Sequence, residues 1–120
     1  MKSFYVSLIA FALLLLAIIW NAHFVRQTTE DLISQLNALP NCEQAADAFE
    51  KAQNFWEARK GLIALTTSHT DIEALDVQFT QIEIALQTKD YPTFERARAL
   101  AIEATRYLYE LEKFSIDNLL

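Results

Sequence analysis

The chain has 120 residues with 1 glycine and 2 prolines, too few for β-hairpins or a Gly-rich phosphate loop, which need glycine where φ is positive or backbone meets a ligand. A formal charge of -6 repels phosphate backbones and anionic lipid headgroups, so neither nucleic acid nor electrostatic adhesion to a membrane is expected. Length and composition point to one all-α unit, with no cofactor.

Residues 3–22, SFYVSLIAFALLLLAIIWNA, contain no Asp, Glu, Lys, Arg or His. At ~1.5 Å per residue a helix of this length reaches ~30 Å, the thickness of the hydrocarbon core of a bilayer. The stretch reads as a membrane anchor, residues 1–22, with an extracytoplasmic helical bundle in 23–120. Its apolar core is longer than that of a cleaved export signal, and bulky Trp20 stands where cleavage after Ala22 requires a small residue. Phe4, Tyr5 and Trp20 bracket the run as interfacial aromatics do. Lys2 and the amino group lie on one side and His23, Arg26, then Glu30 and Asp31 follow on the other, so the positive-inside rule places the N-terminus in the cytoplasm by a slim margin. The expected location is the cell membrane, crossed once.

Beyond the anchor, Val25, Thr29, Leu32, Ile33, Leu36 and Leu39 keep helical spacing with no Gly or Pro between them and the span. One helix over about 4–39 is predicted, stopped by Pro40. Asn41 and Gln44 resemble a capping box opening a second helix over 43–66, with Ala45, Ala48, Phe49, Ala52, Phe55, Trp56, Leu62 and Ile63 on one face. Gly61 inside it marks a close contact, a kink or an early end. A second capping box, Thr70 with Glu73, opens a third helix over 71–88 carrying Ile72, Leu75, Phe79, Ile82 and Leu86. Asp90 caps a fourth helix over 91–117, where Phe94, Ala97, Ala101, Ala104, Leu108 and Leu111 form the inner face and Leu100, Tyr107 and Phe114 widen it. Short turns make the four helices an up-down-up-down antiparallel bundle. Counting back from the first turn sets Leu62 near Trp20, so the second helix either ends by Gly61 or carries Leu62, Ile63 and Leu65 into the bilayer interface. The 66–71 turn and the C-terminus then share the membrane end.

Candidate sites are few. His69 and Glu73 stand four apart and could place imidazole and carboxylate on one metal, with Glu112 and Asp117 brought to the same end, but capping accounts for Glu73 more simply. Trp56 with Arg59 and Lys60 reads as a core aromatic with cationic stems laid over it, and Arg96, Arg98 and Arg106 interleaved with Glu95, Glu103 and Glu110 as a solvated, ion-paired face. Cys42, the single cysteine, reads as a plain thiol in a turn. The tail is the strongest binding candidate: Phe114, Ile116, Asn118, Leu119 and Leu120 crowd apolar area where a chain end is usually polar.

The short basic start, the apolar helix, Trp56 in the second helix, SHTDIE at 68–73 and EKFSIDNLL at 112–120 together resemble a family of small clostridial-type membrane-anchored bacterial proteins, domain of unknown function 4363. The family's His followed by acidic residues, and its near-terminal Asn followed by an apolar residue, correspond to His69, Asp71, Glu73, Asn118 and Leu119; Thr70 departs from the acidic pattern. The resemblance implies no activity and a setting beside other small membrane proteins. No Ser, His and Asp set has the context that nucleophilic catalysis requires, so no enzyme is expected. The expectation is a protein that acts by binding, as an accessory or scaffold subunit of another membrane protein. The alternative is a ligand-sensing bundle signalling through a partner, and the heptad-like stripes are also compatible with a homo-oligomer.

Overall fold

A computed structural model describes residues 2–40 and 44–119, with side chains described as far as Phe114. Four helices account for nearly all of it: α1 (Lys2–Asn37), α2 (Ala45–Ile63), α3 (His69–Gln87) and α4 (Tyr91–Leu119). They form an antiparallel bundle in which α1 packs on α2 and α4, and α3 packs on α2 and α4, leaving the two diagonals apart. The molecule measures 67 × 23 × 21 Å because half of α1 projects beyond its neighbours.

The apolar periodicity decides what is buried. Along α1, Ala22, Val25, Leu32 and Leu36 are sealed in the core, and the prediction for this stripe holds. On α2 the inward residues are Ala45, Phe49, Ala52, Trp56 and Ile63; on α3 they are Ile72, Leu75, Phe79, Ile82 and Ala85. Phe79 lies between Phe49 and Trp56, with ring centroids 5.7 and 6.5 Å away, and ties α3 to α2. Phe94, Ala97, Ala101, Thr105 and Leu108 complete the core from α4, the small residues letting neighbouring backbones approach. Thr29 and Thr105 are buried without an interhelical acceptor because each hydroxyl donates to its own helix, Thr29 to the Val25 carbonyl at 2.9 Å and Thr105 to that of Ala101 at 2.7 Å.

Helix ends shift by a few residues from the sequence reading, for local reasons. α1 stops at Asn37 rather than 39 because a residue preceding proline is pushed out of the helical region, and Leu39 precedes Pro40. α3 begins at His69, two residues early, since the Ser68 carbonyl already accepts from the Asp71 and Ile72 amides. This overturns the Thr70 and Glu73 capping box: Thr70 is inside the helix, and Glu73 lies too far along it to reach the N-cap amide. α3 ends with Lys89 at φ 57 and the Asp90 amide donating to the Ala85 carbonyl at 2.8 Å, a Schellman-type closure. Asp90 then caps α4 as expected, accepting from the Thr93 amide and hydroxyl at 3.3 and 2.6 Å, which holds its carboxyl below the usual range. The first capping box, at Asn41, and the Cys42 thiol lie outside the described residues.

Two packing expectations are corrected. Leu100, Tyr107 and Phe114 do not widen the inner face of α4; they are 43%, 52% and 66% exposed. A seven-residue step keeps them on one line, but that line lies outside the packed face of α4. Gly61 is not a close-contact site either, since a Cβ there would meet nothing within 4 Å. Nor does the helix end at Gly61: α2 runs through it and closes at Ile63, short of the expected 66.

Candidate functional site

The end of the bundle where α1 projects is the candidate surface, and its position is fixed by α1 itself. Every residue from 2 to 20 is exposed, Asn21 is half-buried and Ala22 is sealed. An 18-residue window of the exposed part has mean hydropathy 2.4 with none of it buried, so this one helix is long and apolar enough to cross a membrane. A helix apolar all round must find apolar surroundings, and the bundle supplies none to this half. Trp20 stacks on Phe24 at 5.7 Å, the last aromatic of the exposed part meeting the first of the packed part.

Around this boundary α2, α3 and α4 contribute their ends. The Asn21 Nδ2 donates to the Thr66 hydroxyl at 2.7 Å and pins the α2–α3 turn at the level where α1 leaves the bundle. That bond corrects the expected register of Leu62 beside Trp20: with Thr66 level with Asn21, Leu62 lies about one helical turn further into the bundle, because α2 ends at Ile63 and the turn takes up residues counted as helix. Of the apolar residues there, Ile63 turns inward and is fully buried, whereas Leu62 and Leu65 are 46% and 77% exposed. On the other side, the Arg26 guanidinium lies 5.8 Å from the Tyr109 ring centroid. Antiparallel helices of equal rise then set Phe114, five residues on, level with Asn21, five residues back.

A shallow cleft of about 170 Å³ opens between the turn and α4, lined by Thr66, Thr67, Ser68 and Asp71 facing Leu108, Leu111 and Glu112. Burial there pushes the Glu112 carboxyl up from its ordinary range. His69 and Glu73 do meet, Nε2 to Oε1 at 2.8 Å, as a pair one helical turn apart and standing largely in solvent. Exposed pairs of this kind contribute little to stability. Among the described residues no three His, Cys, Asp or Glu side chains come together at metal spacing, and the side chain of Asp117 lies outside the description. Phe114 is exposed at the boundary, while the side chains of Ile116, Asn118, Leu119 and Leu120 lie outside the described residues.

Trp56 sits in the core, as its position on the apolar face predicts. Its indole Nε1 donates to Asp76 Oδ1 at 2.8 Å, and Lys60 Nζ reaches Asp76 Oδ2 at 3.3 Å and Glu57 at 3.0 Å. Glu57 first and Asp76 second raise the Lys60 pKa against the opposing effect of burial. The Arg59 guanidinium folds over the Phe55 ring, 3.8 Å from its centroid. Asp76 was missed in the sequence; the available signal was that a buried indole requires an acceptor. Arg98 pairs with Glu95 on the expected charged face, but it also donates to the Leu39 carbonyl at 2.6 Å, closing the end of α1 from α4.

Residues 19–119 match the model of a protein family described as a domain of unknown function, DUF4363. The chain belongs to this family. The DUF4363 match opens just before Trp20 and covers the bundle, and most of the exposed apolar half of α1 precedes it. No curated protein and no solved structure matches the chain.

Proposed function

We propose that this DUF4363 protein is a single-pass membrane protein, N-terminus in the cytoplasm and bundle outside it, that acts by binding as an accessory or scaffold subunit of another membrane protein. The observation that carries the reading is the exposed row Leu100, Tyr107 and Phe114, which runs down α4 and reaches the level where α1 leaves the bundle. An exposed apolar row of this kind, rich in aromatics, is suited to docking a partner. It leads into the tail singled out in the sequence. Lys2 and the amino group before the span, against Arg26 after it, support the orientation.

The test is photocrosslinking of the full-length protein in its native membrane from Tyr107 and Phe114, with mass spectrometry of what is attached. A single recurrent membrane protein is the expected product. Lipid alone, or only copies of the same chain, would overturn the subunit reading. A second reading, a ligand-sensing bundle signalling through a partner, draws support from a groove of about 370 Å³ between α2 and α3, lined by Phe49, Glu50, Gln53, Glu83 and Leu86 among others. A small molecule that raises the thermal stability of the purified protein would favour it.

A further inference from the structure

We infer that the α2–α3 turn is a second membrane contact: Leu62 and Leu65 seat in the interfacial layer of the lipid bilayer beside the point where α1 enters it. The inference rests on the reading of α1 as a span and adds to it a surface on a different part of the chain. Its first support is exposure. Leu65, at 77%, is the most exposed large hydrophobic side chain among the described residues, and it stands in a turn, where exposed residues are usually polar.

Composition gives the second support. Residues 61–70, GLIALTTSHT, contain no Asp, Glu, Lys or Arg, although such residues make up 22% of the chain. The turn at the opposite end, by contrast, reads Thr88, Lys89, Asp90. Charged side chains are costly to carry below the headgroups, and this turn has no Asp, Glu, Lys or Arg to carry.

Hydrogen bonding gives the third. The amides of Ala64, Leu65, Thr66 and Thr67 all donate to backbone carbonyls, those of Lys60, Leu62 and Ile63, at 2.8 to 3.2 Å. A turn whose amides are already satisfied loses little on leaving water, whereas an open one would carry unpaired donors into a medium that cannot bond them. Finally, the height of the turn is set. The bond from Asn21 to Thr66 holds the turn at the α1 boundary, and Ile63, fully buried, anchors it to the core while its neighbours Leu62 and Leu65 face out. With Phe114 level on α4, exposed apolar side chains from the turn and from α4 lie near the exit of α1. The absence of acidic or basic groups in the turn suits a lipid surface better than a charged protein partner. Such a contact fixes the tilt of the bundle on the bilayer, which a single span leaves free.

The test uses full-length protein in phosphatidylcholine vesicles, with Cys42→Ser removing the native thiol. A single cysteine replaces Leu65, Leu62, Phe11 or Gln87, all exposed positions, and each carries a spin label whose accessibility to oxygen and to a water-soluble nickel chelate is compared. The expected result is an oxygen-to-chelate ratio at Leu65 and Leu62 well above that at Gln87, and highest at Phe11. Labels at Leu65 and Leu62 that follow Gln87, or that are shielded from both probes by protein, would overturn this inference while Phe11 stays lipid-exposed. A Phe11 label that follows Gln87 would overturn the span itself.

Discussion

The two halves of α1 are both rich in apolar residues and are used in opposite ways. From 2 to 20 the helix is apolar on every side and exposed on every side; from 22 to 37 it is apolar on one stripe, which is sealed, and polar elsewhere. Burial therefore follows the pattern of apolar residues rather than their number. A stripe specifies helix neighbours, because only a matching stripe can cover it, whereas an all-round apolar surface specifies a solvent, and the bundle has none to offer. The family match respects the same division, opening at residue 19.

The largest expected effect breaks that comparison directly. Leu32 is fully buried and Leu13 is 61% exposed. Leu32→Ala should destabilise the bundle by about 2–5 kcal/mol, because a cavity is left in packed surroundings. Leu13→Ala in detergent should leave it within about 0.5 kcal/mol of the parent, as a substitution outside the folded core does. Denaturant unfolding followed by circular dichroism reads both. Equal losses would mean that the exposed half also packs in the folded state.

A smaller effect sharpens the comparison within the packed half. Trp56→Phe keeps an aromatic ring beside Phe79 but removes the donor to Asp76 Oδ1. A loss of about 0.5–1.5 kcal/mol is expected, the net contribution of one hydrogen bond, because Asp76 is 34% exposed and keeps Lys60 as a partner. Gly61→Ala should act in the other direction. Its φ is not positive and a Cβ meets nothing within 4 Å, so the helical preference of Ala should stabilise the bundle by up to ~1 kcal/mol. The same unfolding curves report it, and a loss would reveal a contact at Gly61 outside the chain.

The smallest effect concerns pH. Burial in the cleft raises the folded-state pKa of Glu112, so folding disfavours its charged form relative to the unfolded chain. That contribution to stability is present in acid and is lost as pH rises from the ordinary glutamate range through the raised value. Glu112→Gln should therefore be at least as stable as the parent at neutral pH, by less than about 0.5 kcal/mol, with the difference closing in acid. Thermal melts across pH 4 to 8 on the order of one-unit steps would show the crossing.

Periodicity made the architecture legible. The Ile72, Leu75, Phe79, Ile82 spacing and the unbroken run from the anchor to Leu39 led to four helices, their order and the end of the bundle that holds the 66–71 turn. Short-range chemistry was legible at Asp90, where the cap partner Thr93 is three residues away. It misled at Thr70 and Glu73, because Ser68 started the helix earlier and the carboxylate found His69 instead. Contacts between distant residues left no trace in the pattern. Asp76 lies 20 residues from Trp56 and Arg98 lies 59 from Leu39, and neither pairing has a spacing to betray it. Leu100, Tyr107 and Phe114 were placed inward because a seven-residue row looks the same whether it faces core or solvent; only the rotation of α4 against α1 and α3 decides.

The central claim is that α1 is one continuous helix carrying the span into the core, so that the bundle stands rigidly on the membrane. The most direct test is a pulsed electron-spin distance measurement between labels at Phe11 and Glu30 in the full-length protein in vesicles, both positions being exposed. A continuous helix predicts a narrow distribution centred at about 28 Å from the helical rise over the intervening residues. A broad distribution, or one centred well below that value, would mean a hinge between span and bundle and would contradict the account.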